Sequence, residues 1–148
     1  MLCYFYKQDP VVKQKLLWSY CADFYGSVLW DINHPSMEDV CIAWRKGLKR
    51  IWQLPLQTHS GIVAPICGLL PLRLEIMCQC AGFIVKCLES FNGVVRSVAT
   101  HVVFVQRMRC PVGRNAQHCA SVFEVPLVDM TAIIKKCLVL VAETGWII

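Results

Sequence analysis

The residues best suited to chemistry lie in one block, AWRKGLKRIWQLPLQTHS, from Ala43 to Ser60. Arg45 and Lys49 are four residues apart, as are Lys46 and Arg50, and no acid lies among them. On a helix this spacing makes two adjacent basic rows. Like charges at that spacing oppose helix formation by a few tenths of a kcal/mol, on the order of 0.2–0.5 per pair. Their place in the C-terminal half of the segment recovers part of this through the helix dipole. Such a face is either simply solvated or neutralises phosphates without reading base sequence. Trp44 and Trp52 fall on the apolar side of the same helix, as core anchors and not as stacking platforms for bases. Thr58, His59 and Ser60 follow Pro55 in a polar loop that can add backbone contacts.

Other chemistries find no constellation. Asp23 in YCADFYG has the aromatic neighbours of a polymerase metal turn but lacks the second carboxylate. A single carboxylate cannot hold two metals about 3.5–4 Å apart. The chain has no glycine-rich phosphate loop and no nucleophile elbow. Nothing in the spacing of cysteines and histidines selects a nucleophilic pair, so His34, His59, His101 and His118 are read as structural, and no catalytic residue is assigned. Ten cysteines without a secretory leader are read as free thiols packing as small hydrophobes. Zinc sites need grouped ligands. Cys78 and Cys80 diverge on a helix, and the Cys110/His118 pair lacks flanking partners. No metal and no cofactor is expected.

These residues need elements to position them. Asp9 suits an N-cap and Pro10 a first helical position, so a first helix is expected over 9–26. Its apolar positions would be Val12, Leu16, Leu17, Tyr20 and Phe24, and Gly26 would close it in the left-handed region. A second helix over 36–54 starts at Ser36, with Asp39 as an imperfect capping-box partner. It buries Met37, Val40, Cys41, Trp44, Leu48, Ile51 and Trp52 at helical spacing and stops at Pro55. Residues 57–71 read as a loop with a short helical turn. Further helices are expected over 72–90, 94–107 and 129–144. The third of the five would bury Ile76, Met77, Cys80, Ile84, Cys87 and Leu88. RCPVGRNAQHC reads as a loop. The predicted architecture is one all-α domain over 1–148, an irregular bundle of about five helices.

Composition adds a constraint. Apolar residues make up 56% of the chain and charged residues 17%, against about 45–50% and about 25% in ordinary soluble domains. A chain with so little polar surface is a membrane protein, a subunit with a large interface, or part of a larger protein. The longest uncharged run, Ile51 to Leu72, is broken by Pro55, Pro65 and Pro71, so no membrane span is expected. The N-terminus lacks a signal-peptide pattern, which points to an intracellular protein, cytoplasmic or nuclear. The net charge of +5 mildly favours a polyanionic partner.

The blocks FYGSVLWDI, AWRKGLKRIWQLPLQTHS, GLLPL and PVGRNAQHC, in that order, resemble the region downstream of the palm in reverse transcriptases of LINE-type non-LTR retrotransposons. The resemblance covers roughly residues 12 to 120. It implies a thumb and connector that help hold a template–primer duplex. The metal-binding aspartates, and with them Mg²⁺, would belong to a palm upstream. By this analogy Arg45, Lys46, Lys49, Arg50, Thr58, His59 and Arg114 are the candidate nucleic-acid contacts. The partners would be RNA or an RNA/DNA duplex, held weakly and salt-dependently, together with the remaining polymerase domains. The family's terminal C-x₃-C-x₇-H-x₄-C cluster is not reproduced, because Gln106 and Phe123 occupy two of its places. The expected function is that of a non-catalytic C-terminal fragment of an RNA-directed DNA polymerase. The alternatives are a small helical protein–protein interaction module and a membrane-surface protein using the basic amphipathic helix.

Overall fold

A computed structural model describes residues 7–20, 24, 26–105, 109–127, 129, 131–132, 135–136 and 139. Among these residues the protein is all-helical, with six α-helices and no strand. In chain order they are α1 (Pro10–Tyr20), α2 (Ser36–Ile51), α3 (Ser60–Ile66), α4 (Leu72–Leu88), α5 (Gly93–Thr100) and α6 (Pro111–Val122). A 3₁₀ turn at Ser27–Leu29 separates α1 from α2. A single π-helical turn, His101–Val105, continues α5.

α1 starts as its sequence dictates. The Asp9 carboxylate accepts a hydrogen bond from the Val11 N–H at 2.7 Å, which satisfies a first-turn donor. The helix is described as far as Tyr20, and Phe24 is no longer helical, so it falls short of the expected residue 26; residues 21–23 and 25 lie outside the described set. Gly26 is left-handed as expected, at φ 80°, but it leads into the 3₁₀ turn. The buried face also differs from expectation. Val12 is exposed and Tyr20 is 81% exposed, while Lys13 and Gln14 are buried beside half-buried Leu17 and Trp18. Specific partners turn the helix this way. The Trp52 indole donates to Gln14 Oε1 at 2.7 Å, and Trp18 meets Trp44 edge-on, with ring centroids 5.0 Å apart. An aromatic edge contact of this kind adds about 0.5–1.5 kcal/mol beyond area burial.

α2 follows its apolar stripe. Met37, Cys41, Trp44 and Leu48 are buried, and Val40 and Trp52 pack half-buried against them. The expected capping box does not form. Ser36 is the first helical residue, Pro35 stands at the cap, and no side chain caps the start among the described residues. His34 Nδ1 instead accepts from the Ser36 N–H at 3.2 Å.

α4 is the centre of the bundle and packs against α2, α5, α6 and the 3₁₀ turn. Its buried face is Leu72, Ile76, Met77, Cys80, Ala81, Ile84 and Val85; Cys87 and Leu88 are only half-buried. Each fully buried aliphatic side chain is worth about 1.5–3 kcal/mol.

The sixth helix corrects the sequence reading. RCPVGRNAQHC is not a loop, because Pro111 to Val122 are α-helical. Pro111 stands at the helix start, and Cys110 Sγ accepts from the Gly113 N–H at 3.3 Å. The buried positions are Gly113, Asn115, Ala116 and Cys119. Small and polar residues on the buried side leave no apolar stripe to recognise.

The remaining expectations hold in part. Residues 57–71 contain α3. The 94–107 helix becomes α5 plus the π turn, with 106–107 outside the described residues. Of the 129–144 segment, Asp129 is not helical, residues 131–132, 135–136 and 139 are helical, and 130, 133–134, 137–138 and 140–144 are outside the described set. Among the described residues no helix is long and apolar enough to cross a membrane.

Three helices end alike. Gln53, Gly68 and Glu124 have φ of 52°, 65° and 51°. The next N–H reaches back five residues in each case: Leu54 to Lys49 O, Leu69 to Ala64 O and Val125 to Ala120 O, at 2.8, 2.8 and 2.9 Å. This is the Schellman closure, in which glycine is the usual left-handed residue.

Candidate nucleic-acid interface

The two basic rows of α2 meet different fates. Arg45 lies half-buried on the flank facing α3 and α4, and its Nη2 donates to Glu38 Oε1 at 2.7 Å. The guanidinium holds the Glu38 carboxyl below its ordinary range. Lys49, one turn on, is also half-buried; its Nζ donates to the Leu56 carbonyl at 2.8 Å and pins the loop after the helix. The Arg45–Lys49 row is therefore committed to the protein's own structure. Lys46 and Arg50 lie on the opposite flank and are exposed. Neither has a hydrogen bond or ion pair among the described residues. Their charges face water four residues apart, and no carboxylate pairs with them among the described residues.

The tryptophans lie inward. Trp44 is 7% exposed, and its ring is met edge-on by Trp18 and by Phe24, the latter at a centroid distance of 6.1 Å. No face of it is left for a base. Thr58 and His59 shape the chain after Pro55. The Thr58 N–H closes a turn onto Pro55 O at 3.0 Å. His59 is the N-cap of α3, with Nδ1 accepting from the Gly61 N–H at 3.3 Å. The threonine–histidine pair thus has a local structural duty that its sequence spacing did not disclose.

Arg114 is held elsewhere. Its Nε and Nη2 both donate to Asp31 Oδ2, at 3.1 and 2.9 Å. The adjacent Asn115 is fully buried. Its Oδ1 accepts from the Ile32 N–H at 3.1 Å, and its Nδ2 donates to the Trp30 carbonyl at 2.5 Å. Phe24–Ile32 and Pro111–Cys119 are two of the blocks singled out in the sequence, and the fold makes them tertiary partners. Sequence reasoning missed Asp31, Asn115 and Glu38 as members of these networks. An Asp/Arg and an Asn placed in otherwise apolar blocks were the available signal.

Chemistry beyond charge is sparse. The seven cysteines among the described residues are all free, and Cys41, Cys67, Cys80 and Cys119 are buried. Burial pushes the Cys80 thiol up to about 11 and also raises Cys41 and Cys67, so these are poor nucleophiles. Cys110 caps α6, and His118 lies eight residues further along, about 12 Å at helical rise. Burial and the Arg73 charge hold His118 below its ordinary range. No group of three or more metal-ligating side chains converges among the described residues. The sequence matches no protein-family model, no curated protein and no solved structure.

Proposed function

We propose that this chain is a non-catalytic helical unit that holds RNA or an RNA/DNA duplex by its phosphates, as the region downstream of the palm does in a LINE-type reverse transcriptase. The observation that carries this reading is the Lys46–Arg50 row, charged, exposed and, among the described residues, without a side-chain hydrogen bond or ion pair. Side chains of this kind contact phosphates without reading sequence, so binding is weak and falls with salt. Arg45, Lys49 and Arg114, which the resemblance also nominated, contribute by setting the geometry of α2 and its surroundings. Thr58 and His59 position the loop.

The test is a titration with structured RNA across a salt series. Replacing Lys46 and Arg50 by Gln should lower the log–log salt slope by about 1.5, two phosphate contacts at roughly 0.7–0.9 each. An unchanged slope sinks the assignment to this face, and absent binding at low salt sinks the activity.

A second reading has its own observation. α5 has no buried residue. Val94 and Val98 on it, Phe91 just before it and Val105 in the π turn after it present exposed apolar side chains, and a row of this kind suits packing against another polypeptide. It fits an interaction module, or the remaining domains of a polymerase. Val94→Asp with Val98→Asp would abolish a nuclease-resistant association if this reading is right.

A further inference from the structure

Among the described residues α5 is the one α-helix without a buried residue. It lies against α4 and continues into the π turn, where Val103 is buried. The helix is set without outside help. Asn92 Oδ1 accepts from the N–H groups of Val94 and Val95 at 3.0 and 3.4 Å, which satisfies two first-turn donors. The apolar row on its outer side is therefore preformed.

That row is symmetric about Val98. Val94 and Val102 lie four residues to either side of it, and Phe91 and Val105 seven residues to either side. Phe91 is fully exposed, Val94, Val98 and Val105 are 72%, 57% and 67% exposed, and Val102 is half-buried. A row that reads the same in both directions meets the requirement of an isologous two-fold contact. There both copies offer one patch, and if residue i meets j then j meets i. In an antiparallel pair with its axis at Val98, Phe91 falls opposite the partner's Val105 and Val94 opposite the partner's Val102. Val98 falls opposite its own counterpart.

Charge does not oppose this pairing. Arg96 is the only Lys, Arg, Asp or Glu from Ser90 to Val105. Two residues from Val98, it lies on the far side of the helix. A charge within the row would set like against like in any self-pairing, and like charges brought together across an interface are costly.

The area is sufficient for a weak dimer. A fully exposed phenylalanine offers about 150–250 Å², and an exposed valine roughly 60–120 Å², from its burial energy at about 25 cal/mol per Å². At the exposures given, each copy brings on the order of 300–500 Å² of apolar side chain. With the polar rim added, two copies reach the low end of specific association, near about 1,000 Å², where contacts are weak and reversible.

We propose that α5 pairs antiparallel with α5 of a second copy of this chain, across a two-fold axis at Val98. The proposal rests on the reading of this row as a protein-binding face and names its occupant.

The test is sedimentation equilibrium of the nuclease-treated full chain over a concentration series. The expected result is a reversible shift from one copy to two, half complete at about 10–100 μM. Val98→Asp, at an exposed position, should keep the far-UV circular dichroism. It should weaken pairing at least about tenfold, because it sets two carboxylates together on the axis. Val98→Lys should act alike. An equimolar mixture of these two variants should recover a dimer holding one copy of each, which a general loss of structure cannot produce. Arg96→Gln should leave the pairing unchanged. A chain monomeric up to about 1 mM, a Val98→Asp protein that pairs as tightly as the original, or a mixture that stays monomeric overturns the proposal. In that event, a nuclease-resistant association with another polypeptide that Val94→Asp/Val98→Asp removes would leave the row a protein-binding face with a different occupant.

Discussion

Replacing Asn115 by Ala tests the link between the two halves of the fold. Asn115 is fully buried. Its amide bridges to the backbone of Trp30 and Ile32, 85 and 83 residues away. Alanine would strand the Ile32 N–H in a buried position, where an unsatisfied donor costs about 1–3 kcal/mol. The Trp30 carbonyl belongs to a residue with partial water access, so its loss adds up to about 1 kcal/mol. The helical preference of Ala over Asn returns about 0.5 kcal/mol. The net expectation is a destabilisation of about 0.5–3.5 kcal/mol, centred near 2. Equilibrium urea unfolding followed by far-UV circular dichroism measures it. Hydrogen exchange should show the Ile32 amide losing protection while the α4 core keeps its own. A loss below about 0.5 kcal/mol, or an Ile32 amide as protected as before, would refute the reasoning. Arg114→Gln supplies the comparison. Its partner pair has side-chain exposures of 32% and 22%, and a partly solvated pair contributes about 1 kcal/mol or less.

Two further outcomes can be checked in the same way. Glu75 sits in the first turn of α4, where burial raises its carboxyl from 4.5 to about 7. The folded state therefore holds the proton more tightly than the unfolded chain, and stability falls as pH rises from about 4.5 to about 7. Glu75→Gln should leave stability unchanged near pH 4 and raise it by about 1–2 kcal/mol at pH 8, after allowance for partial solvation and the lost helix-dipole term. Thermal melts across that range decide it, and a pH-independent difference would count against a buried titrating carboxyl. Glu124 closes α6 at φ 51°. A left-handed non-glycine residue costs about 1–2 kcal/mol, of which the freer unfolded chain takes back roughly half when glycine is substituted. Glu124→Gly should thus stabilise by about 0.5–1 kcal/mol, and a lowered melting temperature would contradict the closure described.

The sequence alone determined where apolar periodicity is strong. α2 and α4 follow their stripes, because a helix with one apolar side has a single way to bury it. Local chemistry was equally legible at Asp9, whose cap depends on neighbours within four residues, and at Gly26, whose backbone is left-handed. The sequence also turned Trp44 inward and made the basic rows the contact candidates. It could not read α6, because a buried face of Gly113, Asn115, Ala116 and Cys119 has no apolar signature until its partners are in place. The orientation of α1 was hidden for the same reason, since Gln14 is buried by an indole 38 residues away. Only the tertiary structure divided four equivalent basic residues into a committed pair and an exposed pair. Helical spacing sets the angle between the rows, but the Leu56 carbonyl, the Glu38 carboxylate and the placing of α3 and α4 decide which row faces water.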